Sequence, residues 1–161
     1  MDAAHALVQR LAERIADDEV EIAPDLLDGY LAGERNDPAA AEPVLGGFDV
    51  ASGYSIILAV LDGLRANADV ISMVLGVGSA ATGLLVNLLS IRTALARKPA
   101  GAPDEAARTL LRALDSIEQR LSASGIPAEK APEIGRAALL TLLERPDDAR
   151  RLLDSLATAK A

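Results

Sequence analysis

The stretch DVISMVLGVGSAATGLLVNLLSIR, Asp69 to Arg92, decides the fold. It fits three structures: a strand and glycine turn cradling a nucleotide, a membrane-crossing helix, or a helix buried in its own protein. For the first, the β-branched run VISMVL leads into Gly76-Val77-Gly78-Ser79-Ala80-Ala81, which matches G-x-G-x-x-A. That fingerprint acts within a βαβ unit whose second strand ends in an acid for the ribose. Here the chain passes from Arg92 to Lys98-Pro99 and into another helical pattern, so the second strand is missing. Gly78 to Gly83 also has phosphate-loop spacing, but Leu84 and Leu85 stand where Lys and Ser or Thr are needed. No cofactor is expected.

Read as a helix turning about 100° per residue, the stretch gathers Ser72, Gly76, Ser79, Gly83, Asn87 and Ser90 into one narrow arc. Val70, Val74, Val77, Leu84, Leu85, Leu88 and Leu95 spread over the remaining circumference. The preceding apolar segment divides the same way, with Ser52, Ser55, Ala59, Asp62 and Ala66 on one face and Ile57, Val60, Leu61 and Leu64 elsewhere. Two such segments, about 51–66 and 69–96 and separated only by a short polar turn, read as an antiparallel hairpin whose small faces meet. Close backbone approach is then the use of the glycines, against a helix-propensity cost of up to about 1 kcal/mol each.

The outer sides of that hairpin require a cover. Val70 to Ile91 runs over twenty residues without a charge, enough at about 1.5 Å per residue to cross a hydrocarbon layer of about 30 Å. Arg92, Arg97 and Lys98 follow as cytoplasmic flanks do, and Phe48 and Tyr54 lie at the same end of the hairpin. The first arm, however, is only about fifteen residues before Asp62, marginal for a span. The other possible cover is the set of amphipathic helices on either side.

Those helices are plain in the pattern. Asp2 caps a helix with Leu7, Val8, Leu11 and Ile15 on one face and Arg10, Glu13, Arg14 and Asp17 on the other. Pro24 opens and Gly33 closes a second. Between them Val20 and Ile22 alternate with Glu19 and Glu21, a short strand-like pattern that is the main challenge to an all-helical reading. Residues 34–47 carry prolines and a glycine pair and read as a connection, and 98–103 as a linker. Beyond it, Asp104 caps a helix striped by Ala107, Leu110, Leu111, Leu114, Ile117 and Leu121 and ended by Gly125. Pro132 opens another with Ile134, Ala138 and Leu142 inward, and Pro146 or Asp147 starts a last one with Leu152, Leu153 and Leu156.

Composition agrees. Of 161 residues 50% are hydrophobic but only 2% aromatic, so the core is one of Leu, Ala, Val and Ile, which suits packed helices. The expected fold is therefore all-α: a helical bundle built around a central antiparallel apolar helical hairpin, with a C-terminal three-helix segment. Its expected organisation is 1–97 for the amphipathic helices plus hairpin, 98–103 as linker, and 104–158 for the C-terminal bundle.

A formal charge of −8, with cations scattered and aromatics scarce, argues against nucleic acid as a partner. With no cysteine there are no disulfides, thiolate metal sites or thiol nucleophiles. His5 is the only histidine and reads as a surface residue, and Asp17, Asp18, Glu19 and Glu21 lack the spacing of a calcium loop and read as a solvated helix end, so no metal is expected. Asp62 has two readings: a solvated acid near the turn, or a carboxyl whose burial makes exposure of the hairpin pH-sensitive.

No catalytic residues are expected, and the chain reads as non-enzymatic. The favoured function is a membrane-perturbing effector or anchor that associates with or inserts into lipid and self-associates through the small-residue seam as a homo-oligomer. The alternative is a soluble helical adaptor or oligomerisation module that keeps the hairpin as permanent core and binds a protein partner. The N-terminus lacks the basic and apolar regions of a signal peptide, so the expected residence is cytoplasmic, at the inner face of the membrane where lipid is the partner.

Overall fold

The computed structural model describes residues 2–33, 55–76 and 105–159. Among the described residues the regular structure is entirely helical, in seven α-helices and one 3-10 turn packed as a bundle. Helix α1 spans Ala3–Ile15, with the Asp2 carboxylate accepting from the Ala3 amide at 2.6 Å. It buries Ala4, Leu7, Val8, Leu11 and Ala12, the apolar stripe of its sequence.

The alternating Val20 to Ile22 stretch does not extend. Asp17–Glu19 form a 3-10 turn, and the Ile22 amide donates back to the Glu19 carbonyl at 3.1 Å. Four alternating residues are too few to outweigh helical turns on both sides. Helix α2, Ala23–Ala32, then starts with Pro24 in its first turn and ends at Gly33, whose φ of 78° is the left-handed conformation that glycine adopts without a Cβ clash.

Helix α3, Ile56–Ala66, and helix α4, Ala68–Leu75, are joined by Asn67 alone. The Asn67 side-chain amide donates to the Gly63 carbonyl at 2.8 Å and to Ser116 Oγ at 3.1 Å, capping α3 and pinning the turn to the next helix. Helix α3 starts on a double cap. The Ser55 hydroxyl accepts from the Leu58 amide at 3.1 Å and donates to Glu19 Oε2 at 2.6 Å, while Glu19 also accepts from the Ile56 and Ile57 amides at 2.8 and 3.0 Å. One carboxylate therefore satisfies two of the orphan amides of α3, with a negative charge where the macrodipole favours it. Replacing Glu19 by Ala is expected to lower stability by about 1–2 kcal/mol, measured by urea denaturation. An unchanged midpoint would mean that solvent replaces the cap without cost.

The C-terminal helices are α5, Glu105–Ala123, α6, Ala131–Glu144, and α7, Pro146–Thr158. Helix α5 ends in a Schellman turn: Gly125 has φ 94°, its amide donates to the Ser122 carbonyl, and the Ile126 amide to the Leu121 carbonyl, both at 3.1 Å. Pro132 and Pro146 occupy the first turns of α6 and α7, where a missing amide hydrogen costs nothing. Asp147 and Asp148 stand in the first turn of α7, matched to its dipole.

Helix α3 lies inside. It packs chiefly against α5, and also against α2, α7 and α1, so helices from both sides of the sequence cover it. Ile57, Val60, Leu61 and Leu64 are at most 1% exposed and belong to one continuous core with Leu7, Leu11, Leu27, Ile117, Leu121, Leu142 and Leu152. Each such side chain contributes about 1.5–3 kcal/mol when fully buried. Helix α4 packs mainly on α7 and α5. The continuation of the second arm, residues 77–96, the linker at 98–103 and the Asp104 cap lie outside the described residues, as does the pairing of the hairpin arms beyond their turn.

Candidate functional site

The residues of the small-side-chain seam have distinct surroundings. Ser55 is the cap described above, and Ala59 is buried. Ser72 is half-buried on α4, and Gly76 is exposed just past its end, with an ordinary φ of −70°, where a Cβ would meet the chain's own Met73 and Ser72 carbonyls at 3.3 and 3.6 Å and no other described helix. Ser52, Ser79, Gly83, Asn87 and Ser90 lie outside the described residues. Of the described members of the first arm's face, Ser55 is engaged by the 3-10 turn and Asp62 by α5, while Ala66 is exposed.

Close approach through glycine occurs elsewhere. A Cβ on Gly63 would stand 3.3 Å from both Ile117 Cγ1 and Cγ2, and one on Gly135 would stand 2.9 Å from Leu114 Cδ1 and 3.7 Å from Ile117 Cγ2. Helices α3 and α6 therefore both close on α5 around Ile117. Neither glycine belonged to the predicted seam. The only signal in the sequence was a glycine inside each apolar helical pattern, where alanine would favour the helix by about 1 kcal/mol.

Asp62 sits in a polar cluster at the surface. Its Oδ2 accepts from Arg120 Nη1 at 2.8 Å and its Oδ1 from the Tyr30 hydroxyl at 3.3 Å, with the carboxyl-bearing side chain 51% exposed. The Arg65 guanidinium lies 6.0 Å from the Tyr30 ring centroid and donates to the Ala159 carbonyl at 2.9 Å. Burial lifts the Tyr30 hydroxyl's pKa above its ordinary value of 10.0, against the opposing hydrogen bond from Arg65, and the Asp62 carboxylate adds to the rise. The cluster ties α2, α3, α5 and the end of α7 together. Its Asp62–Arg120 ion pair, open to solvent, contributes about 0–1 kcal/mol.

His5 Nε2 lies 2.7 Å from Asp28 Oδ1, joining α1 to α2. Arg14 Nη2 donates to Glu144 Oε1 and Oε2 at 2.8 and 2.9 Å, and its Nη1 reaches the buried Thr141 hydroxyl at 3.4 Å, joining α1 to α6. Among the described residues no group of histidine and carboxylate side chains could hold a metal ion. Of the acidic run, Asp17, Asp18 and Glu21 are exposed, while Glu19 has the capping role that a purely local reading missed.

At the end of the described part of the uncharged stretch, Arg150 Nη2 donates to the Leu75 carbonyl at 2.9 Å and closes the end of α4 against α7. Beside it Met73 is 60% exposed. No described helix is long and apolar enough to cross a membrane. No protein-family model, no curated protein and no solved structure matches the chain.

Proposed function

We propose that the protein is a non-enzymatic helical adaptor that holds its first apolar arm as permanent core and acts by binding a protein partner, a second copy of the chain included. The observation that carries this reading is the interior position of α3, where Ile57, Val60, Leu61 and Leu64 are buried under amphipathic helices from both ends of the chain and Ile56 and Leu58 are half-buried. Exposing that arm to lipid would require giving up much of the bundle's burial, at about 25 cal/mol per Å² of apolar surface. The uncharged run from Val70 to Ile91, with Met73 exposed at its described beginning, keeps a second reading in play: membrane association of that run while the bundle stays folded.

The two readings separate in one experiment. The adaptor predicts a monodisperse protein in detergent-free buffer that stays at the bottom of a flotation gradient containing anionic phospholipid vesicles. Flotation with the vesicles, or aggregation relieved only by detergent, would overturn it in favour of the membrane reading. Where the chain self-associates through the small-residue seam, Gly76→Leu and Gly83→Leu weaken the oligomer more than Val77→Leu in light scattering. Equal effects count against the seam.

A further inference from the structure

We draw no further inference here: the strongest candidate, the cavity of about 380 Å³ between Asp115, Glu118 and Ser122 of α5 and Ala131 and Pro132 at the start of α6, is an acid-rimmed groove, and nothing in the structure shows what covers it.

Discussion

Leu61→Asp is expected to destabilise the fold by more than about 4 kcal/mol, a large part of the stability of an ordinary domain. Leu61 is fully buried on α3, inside the continuous apolar core. The next residue, Asp62, already carries that carboxylate without penalty because a rotation of about 100° brings it to the surface beside Arg120. The same substitution at exposed Met73 is expected to change stability by no more than about 0.5 kcal/mol. Urea denaturation followed by circular dichroism measures both. Near-normal stability for Leu61→Asp, combined with altered vesicle binding, would mean that this face of α3 serves lipid and not the core.

The second large effect concerns the glycines around Ile117. Gly63→Leu and Gly135→Leu are each expected to cost about 2–3 kcal/mol, since overpacking outweighs the gain in helix propensity of about 1 kcal/mol. At Gly63 the obstruction is the β-branched Ile117, stiff about its first side-chain torsion and fully buried, and at Gly135 it is Leu114. Gly76→Leu, at an exposed position, is expected to cost under about 1 kcal/mol. Chemical denaturation of the three variants gives the order directly. Were Gly76→Leu the most damaging to the monomer, the close approaches around Ile117 would not be the ones that matter.

Much of the architecture was legible because helix ends are local chemistry. Asp2, Gly33 and Gly125 do what their side chains, or lack of one, permit at a helix end, and Pro24, Pro132 and Pro146 sit where an amide is dispensable. The inward stripes of α1, α5, α6 and α7 followed from periodicity, with Ile15 and Leu111 half-buried and the Ala107 side chain outside what is described. Periodicity names the buried face of a helix but not its partner, and that limit accounts for what was missed. The small face of the first arm was paired in expectation with the second arm, its neighbour in sequence. Ser55 instead meets Glu19 and Asp62 meets Arg120, contacts separated by 36 and 58 residues that no local pattern encodes. Glu19 looked like one acid in a solvated run because its use depends on where α3 begins in space. Gly63 and Gly135 were equally silent, since an isolated glycine in a helical pattern reports a close approach without naming what approaches.

Helix α3 is interior, and on the adaptor reading it stays so. Amide hydrogen exchange at Val60, Leu61 and Leu64, with and without anionic phospholipid vesicles, tests it most directly. A permanently interior α3 gives exchange as slow as global unfolding allows, at the same rate in both conditions. Exchange on the timescale of exposed loops, or protection that changes when vesicles are added, would contradict it.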